Sequence, residues 1–343
     1  MKNLKKNSII LLVISMIVLI LVLKDDFNSI IHTLLTANLF FILLALLCQA
    51  LGLLFDALAY KRVLDSYTPN YSVKKSLRMI IITKFFNGIT PFSSGGQPMQ
   101  IYMLKKEGFR FTKATNIIMQ NFIIYQAALV TYGLIAMALN IKLNLFPDIS
   151  LLKNLILLGF FINTMVMVGL IVISFSKKFN YAVIGKTISI LSKLHIIKDK
   201  EKTQAAWRER IDDFHEGTTY LKNNKKLCLE SFLFNLLYLT FTYVMPLFVF
   251  MALDSNLPTT VNPISSIVAS AYILIIGAFV PIPGASGGIE FGYLKFFGSL
   301  ITGSILKASL LIWRFISYYL PMIIGAISFN IRRNEKEIEE KWE

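Results

Sequence analysis

Apolar residues run through this chain in blocks too long and too uniform to be the buried stripes of soluble helices. Residues 8–23, 38–59, 114–139, 151–175, 227–253 and 305–329 carry few charges, and at 1.5 Å per residue the longer ones match a hydrocarbon core of about 30 Å. They predict six full membrane spans. Lys2, Lys5 and Lys6 precede the first block, and Lys24-Asp25-Asp26 follow it where a cleaved leader would show small residues. That block therefore reads as an uncleaved helix.

Two further apolar stretches, 79–104 and 262–302, are interrupted. The first contains Thr90-Pro91-Phe92-Ser93-Ser94-Gly95-Gly96-Gln97-Pro98, and the second Val280-Pro281-Ile282-Pro283-Gly284-Ala285-Ser286-Gly287-Gly288-Ile289-Glu290. Proline lacks the N–H and clashes with the preceding turn, while glycine has poor helix propensity, so both stretches must break a helix. Backbone freed at membrane depth cannot face lipid and must be buried or line a polar cavity. Matched breaks in two halves of a membrane protein point to a transporter-like site.

Charge between the blocks sets direction. Lys74, Lys75 and Arg78 precede the first broken stretch and Lys105, Lys106, Arg110 and Lys113 follow it. Basic loops mark the cytoplasmic side, so 79–104 is expected to enter and leave on that face as a re-entrant hairpin. Counting crossings, 262–302 forms a second hairpin from the outside, giving an inverted repeat. The Gly-Gly pairs lie 192 residues apart, and counted from Pro91 and Pro281 the first motif is two residues shorter. The neighbourhoods of Gly95-Gly96 and Gly287-Gly288 are expected to touch at mid-depth.

Composition agrees with this pattern. The chain has 343 residues, 55% hydrophobic and only 16% charged, against roughly 25% charged in soluble domains. The fold class is an all-α polytopic integral membrane protein, with residues 1–343 as one transmembrane domain in the cell membrane and both termini cytoplasmic. The net charge of +15 gathers in cytoplasmic loops, among them 177–226, with twelve Lys/Arg against six Asp/Glu. Within it, Val183, Ile184, Ile188 and Leu191 have helical spacing with Lys186 and Lys193 between them, as in a helix lying on a membrane surface. Residues 201–221 read as a solvated helix. Nucleic acid is excluded as a partner because the basic residues are dispersed among membrane-flanking loops.

Enzyme chemistry has little support. His32, His195 and His215 are scattered, with no nucleophile and base at workable spacing. Cys48 and Cys228 show no metal or disulfide pattern and read as packing residues. There is no nucleotide motif, and no cofactor is expected.

Gly88-Ile89-Thr90-Pro91-Phe92-Ser93-Ser94-Gly95-Gly96-Gln97-Pro98-Met99-Gln100-Ile101-Tyr102 and Pro281-Ile282-Pro283-Gly284-Ala285-Ser286-Gly287-Gly288-Ile289-Glu290 resemble the paired motifs of the flippase-like transmembrane family. That family includes the membrane half of lysylphosphatidylglycerol synthase, the multiple peptide resistance factor. The resemblance covers nearly the whole chain and implies a domain that moves a lipid or lipid-linked headgroup between leaflets. Lysyl-transferring members carry a large synthase domain after the membrane part; here the sequence ends at Glu343, so lysyl transfer is not expected of this chain alone. Gln97 stands where many members have an acid, whereas Glu290 keeps it in the second motif.

The candidate substrate-binding residues are Glu290, Arg314, Ser94, Gly95, Gly96, Gln97, Ser286, Gly287, Gly288, Lys84, Gln120 and Asn235. Arg314 falls near the middle of the last span, where a charge costs at least about 2.5 kcal/mol, and it can pair with Glu290 or meet a lipid phosphate. Glu290 is also a candidate for proton coupling. The glycine N–H groups at resumed helix starts form a candidate anion cradle, with close helix packing as the alternative. Lys84 either snorkels to the interface or contacts substrate. Gln120, beside Asn116, and Asn235, beside Tyr238 and Thr242, are either interhelical glue or lining residues. The expected partners are membrane lipids, namely anionic or aminoacylated phospholipid or glycolipid. A separate synthase and a homo-oligomer stay open, and the alternative function is a lipid-headgroup enzyme or a subunit of one.

Overall fold

A computed structural model of the chain describes residues 27–146, 150–194, 199–254, 261–278 and 280–342, and these are helical with no strand among them. The expected first span, 8–23, lies outside the described residues. In order, the helices are α1 (Phe27–Leu35), α2 (Leu39–Asp65), α3 (Val73–Gly88), α4 (Gly96–Lys106), α5 (Phe111–Leu143), α6 (Ser150–Phe175), α7 (Lys177–Lys193), α8 (Lys200–Asn223), α9 (Lys225–Leu253), α10 (Pro263–Gly277), α11 (Gly288–Gly298), α12 (Gly303–Arg314) and α13 (Leu320–Trp342). A π-helical turn, Phe315–Tyr319, joins the last two. Five described helical segments are long and apolar enough to cross a membrane: Leu39–Asp65, Phe111–Leu143, Leu152–Phe175, Lys225–Leu253 and Gly303–Ile331. The chain is a polytopic helical membrane protein.

In lipid, helices gain nothing from hiding apolar surface and associate by close packing instead. The central pair shows this. Ala45, Cys48, Gly52 and Ala59 line one buried face of α2, letting α9 run along it. A Cβ on Gly52 would sit 3.6 Å from the Tyr238 ring, and Ser231 Oγ donates to Ala59 O at 3.0 Å. Large side chains on the outer face of α2, such as Leu39, Phe40, Leu43 and Leu47, are exposed, as lipid-facing residues should be.

Among the described residues the packing divides into two cores. One contains Tyr60, Met79, Ile82, Phe86, Leu104 and Ile117 from α2 to α5. The other gathers Phe250, Tyr272, Tyr293, Phe296, Phe297 and Trp313, a cluster of offset and edge-on rings that includes Tyr293 on Trp313 at 4.8 Å. Each core holds one interrupted helix pair: α3 and α4 in the first, α10 and α11 in the second.

The segment between α6 and α9 folds back as an antiparallel pair, α7 and α8. Although α8 was expected to be solvated, Phe214 O and Thr218 Oγ1 accept from Asn116 Nδ2 at 2.6 and 2.8 Å, which docks it on α5.

Candidate functional site

Both helix interruptions are built the same way. An extended residue, Thr90 (φ −121°) or Ile282 (φ −99°), leads into a single 3-10 turn beginning with proline, Pro91–Ser93 or Pro283–Ala285. Each turn holds two consecutive residues at positive φ: Phe92 (54°) and Ser93 (51°) in the first, Gly284 (65°) and Ala285 (52°) in the second. Helix then resumes for eleven residues, from Gly96 or Gly288. Pro91 corresponds to Pro283 and Gly96 to Gly288 at the same 192-residue offset, with no gap. The two-residue length difference expected from the sequence is therefore corrected: Pro283, rather than Pro281, is the equivalent proline. In that register Gln97 pairs with Ile289, and Pro98 with Glu290.

The two 3-10 turns pack against each other, as expected of the two motif neighbourhoods. They are not equally covered. Pro283, Gly284 and Ala285 are buried, whereas no residue of the first turn is, and Phe92 is 58% exposed.

The last span ties both interruptions together. Arg314 Nε and Nη2 both reach Glu290 Oε1 at 2.6 Å, and Nη2 also donates to Gly284 O at 3.1 Å. The other Glu290 oxygen, Oε2, accepts from Gly287 N at 2.6 Å, capping α11 with a carboxylate. One turn beyond Arg314, the Tyr318 hydroxyl donates to Gly88 O at 2.9 Å. That carbonyl ends α3 and has no partner within its own helix. The Arg314 guanidinium stacks 4.7 Å above the Tyr318 ring. Arg314 thus holds the second interruption and Tyr318 the first, and the π turn that carries Tyr318 is a departure from α-helix often found at functional sites.

The pair is buried, at 6% exposure for Glu290 and 5% for Arg314. Stripping water from two ions costs several kcal/mol each, which is offset only by close pairing and further hydrogen bonds. Here one oxygen accepts from Nε with Nη2 in ion-pair contact, and the other accepts from a helix N-terminus. Both Nη1 protons lack an acceptor among the described residues. Beside the pair, the Ser286 hydroxyl is buried without a partner.

The glycines offer less to an anion than their sequence suggests. Gly95 N donates to Thr90 Oγ1 and Gly96 N to Asn87 Oδ1, both at 2.8 Å, while Gly287 N is held by Glu290. Close approach explains the glycines better: a Cβ on Gly96 would lie 2.3 Å from Asn87 Oδ1, and one on Gly288 2.4 Å from Val280 Cγ2. Ser94 is exposed and returns its hydroxyl to Pro91 O at 2.8 Å. Gln97, half-buried on the first turn of α4, has no hydrogen-bond partner among the described residues.

Lys84 turns inward rather than toward the interface. Its Nζ lies 2.7 Å from Asp56 Oδ2 and 3.2 Å from the Tyr238 hydroxyl, above the same ring. Gln120 and Asn235 stand apart from the interruptions. Gln120 donates to Asn116 and accepts from Tyr67 in the network that holds α8, and Asn235 Nδ2 returns to Ser231 O on its own helix. No cluster of metal-ligating side chains occurs among the described residues. Sequence reasoning missed Tyr318, Asn87 and Thr90; the last two carried a signal, being polar residues just before the Gly-Gly pair whose N–H groups needed acceptors.

The family described as the lysylphosphatidylglycerol synthase TM region matches residues 8–325. A UPF0104 membrane protein of Archaeoglobus fulgidus is 23% identical over 308 residues, covering 86% of this chain and 87% of that protein.

Proposed function

The chain belongs to the family of the lysylphosphatidylglycerol synthase transmembrane region, and we propose that it is a lipid translocase whose working site is the seam between the two helix interruptions. A phosphate-bearing headgroup passes through this seam while its acyl chains stay in lipid. The observation that carries this reading is the half-free guanidinium of Arg314, buried where the two turns meet and anchored to both Glu290 and Gly284. A buried arginine with two unused N–H groups suits a phosphate, which it binds through paired donors. The carboxylate that neutralises it is displaced, in part, by the incoming anion.

In this reading α3–α4 and α10–α11 are re-entrant hairpins from opposite faces, with the basic loops and both termini on the cytoplasmic side of the cell membrane, as the loop charges favour. Alternating access moves one hairpin relative to the other. The driving force is a lipid or ion gradient, with Glu290 as the proton-coupling candidate.

The test is headgroup translocation in proteoliposomes holding this protein alone, with anionic, zwitterionic and aminoacylated lipids. Movement of one class above the empty-vesicle rate, lost in Glu290→Gln and Arg314→Ala, is expected. Folded protein that moves no lipid in the panel would overturn the proposal. It would favour the second reading, a membrane subunit working with a separate synthase, for which the family's description is the supporting observation; co-purification of such an enzyme would then be the measurement.

A further inference from the structure

The α7 helix presents two apolar faces, and only one is used inside the protein. Ile188 is buried on the inner face, and Asn180 there lies 3.0 Å from the His215 ring on α8. The outer face carries Phe179, Val183, Ile190 and Leu194, exposed by 44, 44, 58 and 63%. At 3.6 residues per turn these four fall within about 60° of one another, so they form one continuous stripe. Lys186 and Lys193 border the stripe, and Lys178 lies further round the first turn. All three are exposed, and none has an ion-pair partner among the described residues.

The position of α7 says what covers this stripe. The span α6 ends at Phe175, and Ser176 takes an extended conformation (φ −105°, ψ 91°) while accepting from Phe179 N to start α7. Asn180 Nδ2 reaches back to Ile173 O at 2.7 Å and fixes the bend. A helix that starts where a membrane span ends, and is strapped to its last turn, begins at the level of the lipid headgroups. Large apolar side chains beside unpaired lysines suit that boundary: the former enter the acyl region and the latter snorkel to anionic headgroups.

We propose that α7 is an interfacial helix seated on an anionic leaflet through Phe179, Val183, Ile190 and Leu194, with Lys186 and Lys193 on the headgroups. Because α7 packs on α8 and α8 is pinned to α5 through Asn116, this seat couples the lipid surface to the bundle. It does not depend on lipids crossing at the interruptions.

The experiment uses the full chain with Cys48→Ala and Cys228→Ala, reconstituted in phosphatidylcholine vesicles with or without phosphatidylglycerol. An environment-sensitive fluorophore is placed at Ile190→Cys, and at Lys202→Cys on α8 as a water-facing control. The Ile190 label is expected to be quenched by nitroxides on lipid chains, more strongly with phosphatidylglycerol, while the control is quenched from water. Lys186→Glu and Lys193→Glu should each lower the seated-to-unseated ratio by at least about fivefold, the equivalent of one basic residue at an anionic surface. Water-like emission at Ile190 in both vesicle types would overturn the seat. Equal lipid quenching in both would overturn its anionic preference. Shielding that disappears on diluting the protein in the vesicles would overturn it in favour of a second copy. Leu194→Asp, at an exposed position that leaves the inner face intact, separates loss of seating from loss of fold.

Discussion

Tyr318 and Gly88 are 230 residues apart in sequence and joined by a 2.9 Å hydrogen bond from the phenol to a carbonyl at the end of a helix. The same phenol fills the space where a side chain on Gly284 would be, 2.1 Å from the position of its Cβ. One ring thus lies against both interruptions, with the guanidinium of Arg314 above it. The contact spans both turns, so substitutions at Tyr318 report on how firmly they are held together.

Tyr318→Phe keeps the ring and removes the hydrogen bond. Thermal unfolding in detergent should show a small loss, about 0.5–1.5 kcal/mol, because the Gly88 carbonyl loses its partner. If the contact times the movement of the turns, lipid translocation will change by more than that loss explains. Parallel measurement of unfolding and translocation checks this.

Gly284→Ala should be costly for two separable reasons. A left-handed conformation costs a non-glycine residue about 1–2 kcal/mol, and the new methyl also collides with Tyr318. The neighbouring Ala285 adopts φ 52°, so the conformation alone is tolerable and the collision should dominate. In a Tyr318→Ala background the same substitution should therefore cost much less, and a double-mutant cycle on unfolding free energy measures the difference.

The sequence made five of the expected spans, the two interruptions and the Glu290–Arg314 pairing legible, since apolar length, proline with glycine, and an isolated intramembrane charge each have a direct physical meaning. What it hid follows from the same chemistry. With two prolines near the second interruption, spacing alone could not say which one opens the turn; only the backbone at Ile282 and Gly284 decides it. Tyr318 was lost among many aromatic residues because its role depends on a carbonyl from the other half of the chain. Lys84 and Asp56 lie on different helices, and no local spacing announces their pairing. Gln120 was recognisable as a buried polar residue, but whether it faced a cavity or α8 depended on where 200–223 docked.

The Glu290–Arg314 pair can be separated into its structural and working parts. Glu290→Gln leaves Arg314 buried with a neutral partner, and breaking a buried pair in this way typically costs about 3–5 kcal/mol. Replacing both residues, as Glu290→Gln with Arg314→Met, removes the uncompensated charge and should recover most of that stability. Translocation should stay lost in the double variant, because the phosphate-binding guanidinium is gone. Full transport with restored stability would make the pair purely structural.

The α7–α8 pair should loosen in mild acid because of His215. Its imidazole is 5% exposed, and burial, reinforced by Lys177 and opposed by Asp212, holds its pKa below the ordinary histidine value. Among the described residues, the polar and charged groups acting on it are Asn180 Nδ2 at 3.0 Å, Lys177, and Asp212, which is itself tied to Lys177 and Tyr181. Above about pH 6.5, the free imidazole value, the ring is neutral whether docked or released, and it contributes no pH dependence. As pH falls through that value the released form takes up a proton more readily than the docked one, so docking weakens. Hydrogen exchange should then show protection of Lys200–Asn223 falling between pH 7.5 and 5.5 in proportion to the protonated fraction of the released histidine. A His215→Asn variant should flatten that profile while keeping a polar group against Asn180. An unchanged slope would place the acid sensitivity elsewhere, with Asp212 excluded over this range because its hydrogen bonds from Lys177 and Tyr181 hold its pKa below the ordinary carboxylate value.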